Sequence, residues 1–264
     1  MILSGLYIYP IKSLKGIALN EASVERRGLQ YDRRWMLVDS NNKFFTQREF
    51  PKMATITVGI EPTGLKIDSS GKDTLFVQFD AKPEATAEVE VWQSRCPGDF
   101  VSAEADRWFS EVLDTDCRLV YMSDQSLRPV DPQFAIADDV VSFADGYPFL
   151  IANEASLADL NSRLTEMVGM DRFRPNFVVN GTEAFAEDQW KSVTIGSENF
   201  HVAKPCGRCV MTTVDQESGV KDGVEPLRTL ASFRTRNNSV LFGQNLIVLS
   251  EGGRVRVGDD VRIA

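Results

Sequence analysis

The stretch PCGRCVMTTVD at residues 205–215 carries two cysteines three positions apart, followed by a run of branched residues. Branched side chains favour extended backbone, so we expect a strand over residues 209–215. A thioredoxin-type CxxC instead opens a helix, whose N-terminus stabilises a thiolate. The expected strand therefore argues against that redox chemistry.

Three other interpretations of Cys206 and Cys209 remain. A structural zinc site takes four ligands, and the one other nearby candidate is His201, the sole histidine of the chain. The two residues are alternatively small buried side chains beside a turn. Arg208 between them favours a thiolate, which is the ligand that a soft metal centre selects.

The sequence around the motif is rich in short strands and contains few helices. Amphipathic spacing predicts helices at 101–113, after a cap at Asn153, and from Glu225 to Arg236. Without regular strand–helix alternation, this pattern predicts a mainly β fold with α+β elements. Strands are expected at 2–9, 20–24, 35–39, 53–60, 74–78, 87–92, 118–122, 176–180, 191–196, 198–204, 209–215, 245–250 and 254–263.

A polar, proline-containing stretch, SDQSLRPVDPQ at 123–133, follows the strand expected at 118–122. Composition of this kind is typical of a loop between units. We therefore expect two domains, at residues 1–120 and 121–264.

Composition narrows the possible partners. The 264 residues are 43% hydrophobic and 25% charged, with a net charge of −9. This charge disfavours binding to nucleic acid or an anionic membrane surface, so local clusters of Lys and Arg become informative. There is no apolar run of about 18 residues and no secretory signal at the N-terminus, which predicts a cytoplasmic protein without a membrane span.

PCGRCVMTTVDQESG at 205–219 resembles the cysteine signature of the MOSC superfamily, and in particular the bacterial YcbX-like group and the mitochondrial amidoxime-reducing component. The resemblance covers nearly the whole chain and implies an N-terminal β-barrel-like unit packed on a MOSC β-barrel domain. It extends to YPIKSLKG (9–16), YDRRW (31–35), FTQREFP (45–51), FADGYPFLIANEASLADLN (143–161), RFRPNFVV (172–179), EDQW (187–190), EPLRTLASFR (225–234) and FGQNL (242–246).

The resemblance implies a bound molybdenum cofactor with one pterin. In that family the second cysteine of the signature ligates molybdenum, which makes Cys209 the expected metal ligand and catalytic residue. Cys206 is not carried over as a ligand. The pterin ends in a phosphate, which an acidic protein must hold in a local pocket of Arg, Lys, hydroxyl and backbone N–H groups.

Several residues are candidates for that pocket. Lys12, Ser13 and Arg33 match residues that contact the cofactor in the amidoxime-reducing relatives, Arg34 is an ambiguous neighbour, and the amide of Asn176 suits a pterin edge. The other candidates are Arg48, Asp145, Arg174 in preference to Arg172, and Arg208, with Thr46 and Gln47 on the rim. Glu187 and Asp188 are possible proton donors, and Asp215 is expected to end a strand.

The implied activity is the reduction of N-hydroxylated bases, amidoximes or hydroxylamines. This chain has no Cx4CxxC pattern, so we expect no iron–sulfur cluster in it. Electrons would come from a separate ferredoxin or flavoprotein, or from a C-terminal ferredoxin domain absent from this chain.

The alternatives are a persulfide-bearing sulfur carrier of the cofactor sulfurase type and a non-catalytic cofactor-binding protein. A family-level association with pyridoxal phosphate is weak here, because no lysine is marked as a Schiff-base residue.

Overall fold

The chain forms nineteen strands and three α-helices in the computed structural model, which describes residues 1–221, 223–250 and 252–263. The first half contains β1 (Ile2–Ile8), β2 (Ile17–Ala18), β3 (Glu21–Glu25), β4 (Gly28–Leu29), β5 (Trp35–Val38), β6 (Thr57–Glu61), β7 (Gly64–Asp68), β8 (Leu75–Gln78), β9 (Ala85–Val91), β10 (Ser94–Phe100), α1 (Ala103–Leu113) and β11 (Arg118–Tyr121). The second half contains β12 (Phe149–Asn153), α2 (Glu154–Asn161), β13 (Phe177–Asn180), β14 (Ser192–Ile195), β15 (Glu198–Arg208), α3 (Leu227–Arg234), β16 (Thr235–Arg236), β17 (Ser239–Val248), β18 (Arg254–Arg256) and β19 (Val261–Ile263). Short 3-10 helices lie at Pro51–Thr55, Met170–Arg172, Ala186–Gln189 and Val210–Thr213.

The largest sheet joins strands from both ends of the chain. Its order is β19-β14-β15-β17-β12-β13-β1-β2, with β16 paired to β17. β1 runs antiparallel to β13, with Leu6 opposite Phe177. β15 runs antiparallel to β17 and ends with the first part of the cysteine motif. The N-terminal strand therefore shares a sheet with the strand that carries the motif.

Three phenylalanines fill the buried face of this sheet. Phe149, Phe177 and Phe200 lie on β12, β13 and β15, and each has at most 1% of its surface exposed. Their ring centroids are 5.2 to 5.6 Å apart. Burying one such side chain contributes about 1.5–3 kcal/mol, and the aromatic pairing adds to this. This packing fixes the strands from which the cysteine motif emerges.

The first half of the chain builds a second hydrophobic core around α1. The hydroxyl of Ser102 caps the helix by accepting a hydrogen bond from the Ala105 amide at 3.1 Å. Phe109 and Val112 on the buried face of α1 belong to one cluster with Leu65 of β7. The remaining sheets are β5-β11-β10-β9, β6-β7-β8 and β18-β3-β4, the last of which includes a strand from the C-terminal part of the chain.

The mainly β fold with a few helices is confirmed. Among the described residues each sheet is an open path of hydrogen-bonded strands, so none closes into a complete barrel. The helices expected at 101–113, after Asn153 and near 225–236 are present as α1, α2 and α3. The domain limits 1–120 and 121–264 stay a prediction, and two of the sheets contain strands from both of these ranges. No helix within the described residues has the length and apolar character needed to cross a membrane.

The strand predicted at 209–215 is wrong. Val210–Thr213 forms a 3-10 helix instead. The hydroxyls of Thr212 and Thr213 donate to the carbonyls of Cys209 and Val210 at 3.0 and 2.8 Å. Local hydrogen bonds of this kind compete with a strand ladder, and propensity alone does not reveal them. Thioredoxin-type chemistry is still disfavoured, because a single short 3-10 segment follows Cys209 and not the α-helix that such a motif opens.

Three other expected strands have different limits. Pro51 begins a 3-10 helix where a strand was expected from residue 53, since its fixed φ suits the first helical position. The region 254–263 is two strands, because the carboxylate of Asp259 accepts a hydrogen bond from the Arg256 amide and turns the chain. β17 begins at Ser239 rather than at residue 245. The strands β7, β10 and β12 and the two-residue strands β2, β4 and β16 were not predicted.

Candidate functional site

A pocket between the two halves of the chain collects nine of the ten residues expected in the site. β1 and β5 lead into the turns that carry the N-terminal cations, whereas β13 and β15 position the residues from the second half. The nine are Lys12, Ser13, Arg33, Arg48, Asp145, Arg174, Asn176, Arg208 and Cys209. Residues from both ends of the sequence thus line one cavity.

Cys209 lies directly after β15, and its thiol is contacted by a guanidinium from the first half of the chain. Arg48 donates through Nε and Nη2 to Cys209 Sγ at 3.3 and 3.1 Å. A guanidinium at this distance stabilises negative charge on sulfur. The cation in contact with Cys209 is therefore Arg48, which the sequence did not indicate.

Arg208 is directed to the other cysteine. Its Nη1 donates to Cys206 Sγ at 2.8 Å, and its Nη2 donates to the carbonyl of Phe173. The Nε atom of Arg208 is buried and has no hydrogen-bond partner among the described residues. Cys206 also lines the pocket, so the two sulfurs of the motif have separate guanidinium partners beside one cavity.

Lys12 and Asp145 form an ion pair on the wall of the pocket. Lys12 Nζ lies 2.6 Å from Asp145 Oδ1 and donates to the carbonyl of Phe143 at 2.8 Å. Burial lowers the pKa of Lys12 to about 8, against the opposing effect of Asp145. Partial removal from water raises the pKa of Asp145, but Lys12, Arg48 and the indole N–H of Trp92 outweigh it and hold that pKa well below its usual range.

Arg33 and Arg174 both stack on the ring of Tyr9, each with its guanidinium carbon 4.1 Å from the ring centroid. Arg33 is neutralised by Asp32 at 2.6 Å. Arg174 is 5% exposed, and burial lowers its pKa to about 10. Its Nη2 has no hydrogen-bond partner among the described residues. A buried donor without a partner is costly, which points to a ligand that supplies the missing acceptor.

Asn176 connects three strands beneath the pocket. Its side-chain amide donates to the carbonyl of Tyr7 at 3.1 Å and accepts from the Leu150 amide at 3.1 Å. Arg33 Nη1 lies 3.4 Å from the same side-chain oxygen. The protein therefore already supplies partners for this amide, and its evident role is to hold β1, β12 and β13 together at the site.

Arg34 lies outside the pocket. Its Nη2 donates to the carbonyl of Met122 and to Asp124 Oδ1, both at 2.7 Å. The prediction that Arg34 binds the cofactor is therefore wrong: both arginines lie in the turn before β5, where the left-handed backbone of Arg33 (φ 49°) separates the directions of the two side chains. Glu187 and Asp188 also lie elsewhere: Glu187 accepts from Ser156, and Asp188 pairs with Arg234.

Two residues that shape the site, Trp92 and Arg128, were not predicted from the sequence. Trp92 donates its indole N–H to Asp145 Oδ1 at 3.1 Å. Arg128 donates to the carbonyls of Ala144 and Asp145 at 2.6 and 2.9 Å and so fixes the turn that carries this carboxylate. Arg172 lines the pocket although Arg174 was preferred. Trp92 and Arg128 lie in a turn and a loop, where no periodicity marks a function.

The charges around the pocket suit an anion. Among the described residues six cations and one carboxylate, Asp145, line it, while Asp32 and Asp215 pair with Arg33 and Arg172 from outside the lining. Two of the guanidinium groups have a buried nitrogen without a partner in the same part of the chain. The six are Lys12, Arg33, Arg48, Arg172, Arg174 and Arg208. The described residues contain no group of three or more His, Cys, Asp or Glu side chains able to hold a metal ion, so a four-ligand zinc site is not supported. A single thiolate beside an anion site fits a metal that brings most of its own ligands.

Fold and site define a mainly β protein with two cysteines, Cys206 and Cys209, in a cation-rich pocket between its two halves. The chain belongs to the MOSC family: the MOSC domain matches residues 138–262, and the MOSC N-terminal beta barrel domain matches residues 1–116. It is 35% identical to mitochondrial amidoxime-reducing component 1 of Mus musculus over 97% of this chain and 80% of that protein. The human protein of the same name is 34% identical over 97% of this chain and 81% of its own length. Molybdenum cofactor sulfurase of Oryza sativa is 32% identical over 91% of this chain but only 32% of its own length.

Proposed function

We propose that this protein binds a molybdenum cofactor in the pocket and reduces N-hydroxylated compounds with electrons from a separate protein. The observation that carries the proposal is the thiol of Cys209 beside an excess of cations, two of which have buried donors without partners. The names of the amidoxime-reducing relatives supply the substrate class. A thiolate ligand and an anion site together suit a metal held by a phosphate-bearing pterin.

The residues fall into two groups around such a cofactor. Cys209 would ligate the metal, while Lys12, Arg33, Arg174 and Arg208 would hold the phosphate and the polar edges of the pterin. When bound, the cofactor would supply the two-electron chemistry that breaks an N–O bond. The unpartnered nitrogens of Arg174 and Arg208 are the donors that such an anion would satisfy.

Proton supply is a task for the protein. Reducing an N-hydroxylated base to the base takes up two electrons and two protons and releases water. Lys12 has a pKa of about 8 because of burial, so its ammonium holds a proton at neutral pH and can release one at moderate cost. Asp145, 2.6 Å away, is the acceptor that orients this ammonium.

The electron donor is proposed to be a ferredoxin or a flavoprotein. The described residues contain no cluster of three or more cysteine, histidine or acidic side chains that could hold a redox metal of their own. We also propose a cytoplasmic location. The amidoxime-reducing relatives, in contrast, are named mitochondrial proteins.

A sulfur carrier is the second candidate function. It is favoured by the similarity to molybdenum cofactor sulfurase and by a second pocket cysteine, Cys206, that has its own guanidinium partner. Such a carrier would hold a persulfide on one of the two sulfurs. A non-catalytic cofactor-binding protein, in contrast, would carry stoichiometric cofactor without reducing any N-hydroxylated substrate.

The deciding experiment compares the wild type, Cys209→Ser and Cys206→Ser, each purified from a host that makes molybdenum cofactor. We expect near-stoichiometric molybdenum and pterin in the wild type and in Cys206→Ser, and loss of the metal in Cys209→Ser. The loaded wild type should oxidise a reduced dye when an amidoxime is added. Cyanide-releasable sulfur without molybdenum or pterin would instead support the sulfur carrier, and cofactor without turnover would support the binding protein.

A further inference from the structure

Trp92 has a backbone conformation that its side chain disfavours. It is the first residue of the two-residue turn Trp92–Gln93 that joins β9 to β10, and its φ is 57°. Positive φ in tight hairpin turns is usually provided by Gly, Asn or Asp, and it is strained for a bulky residue. Strain of this kind persists where the side chain is needed.

The side chain of Trp92 is 42% exposed yet makes specific contacts at the edge of the pocket. Its indole N–H donates to Asp145 Oδ1 at 3.1 Å. Its ring lies under the guanidinium of Arg48, with 4.4 Å between the guanidinium carbon and the ring centroid. Phe44 supports the indole from another side at a centroid distance of 4.8 Å.

Arg48 is therefore held from three directions. Its Nε and Nη2 donate to Cys209 Sγ at 3.3 and 3.1 Å, and Nη2 lies 4.0 Å from Asp145 Oδ2. The side chain of Arg48 is still 22% exposed. A long, partly solvated side chain gains rotamer freedom when it leaves such a position. The aromatic face opposes this by a cation–π contact in a defined orientation.

We propose that Trp92 is a positioning residue that holds the guanidinium of Arg48 against the sulfur of Cys209. The proposal rests on the proposed function only in making Cys209 a metal ligand, since the contact itself is made within the protein. By this contact, the hairpin β9–β10 of the N-terminal half holds a positive charge beside a sulfur atom of the C-terminal half. The strained backbone of Trp92 is explained because Gly or Asn in this turn provides no aromatic face.

The first test uses the full-length, cofactor-free protein in a Cys206→Ser background, where iodoacetamide alkylates Cys209 while Cys96 and Cys117 are buried. The variants are Arg48→Met, Trp92→Asn, Trp92→Phe and the double variant Arg48→Met/Trp92→Asn. Asn suits the positive φ, so Trp92→Asn removes the ring without adding strain. Phe76→Asn is the matched control, since Phe76 is an aromatic residue exposed to 43% outside the pocket.

We expect Arg48→Met to slow alkylation at pH 7 several-fold, because the guanidinium that donates two hydrogen bonds to the attacking sulfur is removed. Trp92→Asn should slow it to a similar extent, and Trp92→Phe should restore most of the rate. The double variant should react no more slowly than Arg48→Met, because a residue acting through Arg48 has no effect without it. Phe76→Asn should react like the parent.

The second test uses protein loaded with cofactor in the host. Arg48→Met and Trp92→Asn should shift the reduction potential of the bound centre in the same negative direction, measured per bound pterin. Alkylation of Trp92→Asn at the parent rate would overturn the proposal, and so would additive effects in the double variant. A wild type that lacks molybdenum and pterin while both variants alkylate slowly would reject the proposed function and leave the positioning role of Trp92 supported.

Discussion

Three residues of the pocket share the left-handed backbone region. Ser13, Arg33 and Arg174 have φ values of 67°, 49° and 53°. Each such conformation disfavours a residue with a Cβ and is uncommon outside glycine, Asn and Asp. Each of these residues follows a strand or precedes one at a sharp turn, which directs its polar group to the pocket. The site is thus built at strained turns that the surrounding sheets stabilise.

The first residue-scale prediction concerns Lys12. Its pKa, lowered to about 8 by burial, means that the pocket loses one positive charge as the pH rises through this region. Sulfate keeps a constant charge over this range, so its affinity for the cofactor-free protein should be level near pH 6.5 and fall above pH 8. Because a bound anion stabilises the ammonium, the midpoint should lie above the pKa of the free protein.

Lys12→Arg is the matched control for this prediction. Arginine stays charged throughout, so the pH dependence of sulfate binding should disappear while binding persists. Calorimetric titration at several pH values measures both. An unchanged pH profile in Lys12→Arg would show that another group titrates.

The second residue-scale prediction concerns Arg174. Its buried guanidinium has an unpartnered nitrogen among the described residues, which costs the cofactor-free protein about 1–3 kcal/mol. Arg174→Met should therefore raise the free energy of unfolding of the cofactor-free protein by about 1 kcal/mol, since an apolar side chain replaces a poorly satisfied charge. The same variant should lose most of the bound pterin. Urea unfolding and pterin analysis measure the two effects, and a destabilised variant would contradict the first.

The sequence predicted which residues line the pocket better than it predicted which side chains contact one another there. Cys209 and nine candidate cofactor-binding residues were expected because of their chemistry and their resemblance to a family, and nine of these ten line one cavity. Arg208 contacts a sulfur of the motif, Cys206, but the contact between Arg48 and Cys209 was not predicted, because the two residues are 161 positions apart. The prediction for Arg34 failed because it lies in a turn before β5, where the direction of a side chain depends on the positive φ of Arg33 and has no periodic signature.

Among the elements, the amphipathic helices were predictable and the segment after the motif was not. Spacing of apolar residues defined α1, and Asn153 caps α2 as expected by accepting from the Ala155 amide at 3.0 Å. The 3-10 helix after Cys209 depends on hydroxyl contacts that branched composition conceals. Strand limits moved wherever a side chain turned the backbone, as Asp259 does between β18 and β19.

The element-scale prediction concerns Asp188, which joins a 3-10 helix to α3 and β17. Its carboxylate pairs with Arg234 at 2.8 Å and accepts from Gln244 at 2.9 Å, and both ion-pair side chains are at most 6% exposed. Asp188→Asn should lower the free energy of unfolding by about 3 kcal/mol, since it leaves a buried guanidinium without its charge partner. Urea unfolding measures this change.

Asp159→Asn is the matched control for this prediction. It breaks the exposed pair with Arg163 at 3.0 Å, which should cost less than about 1 kcal/mol. Because Asp188 lies outside the pocket, the folded fraction of Asp188→Asn should bind pterin as the wild type does. Loss of pterin from well-folded Asp188→Asn would contradict this and would show that Asp188 contributes to the site.

For the whole molecule, the two expected units are joined more closely than a linear boundary suggests. β1 lies between β13 and β2, and β18 pairs with β3. The sequence predicts a boundary from the polar composition near residues 123–133, but pairing between distant strands has no signature in one sequence. The resemblance predicted two units, whereas the pairing of strands between them is visible only in the three-dimensional structure.

The whole-molecule prediction follows from this exchange. A fragment of residues 121–264 lacks β1, which leaves β13 without one of its partners and removes Leu3, Leu6 and Ile8 from the core. We expect this fragment to be unfolded or aggregated, with no cooperative urea transition and no retained pterin. Circular dichroism and size-exclusion chromatography test this, with the full chain as control. A monomeric, cooperatively folding fragment would contradict the prediction.

The pairing of β15 with β17 also has a consequence for timing. Cys209 follows a strand whose partner extends to Val248, and the pocket needs cations that were synthesised long before. A ribosome-bound nascent chain therefore lacks the site until β17 has emerged from the exit tunnel. The pocket is then ready for a ligand only after Val248 has been translated and β17 has left the tunnel, whatever the chain carries beyond it.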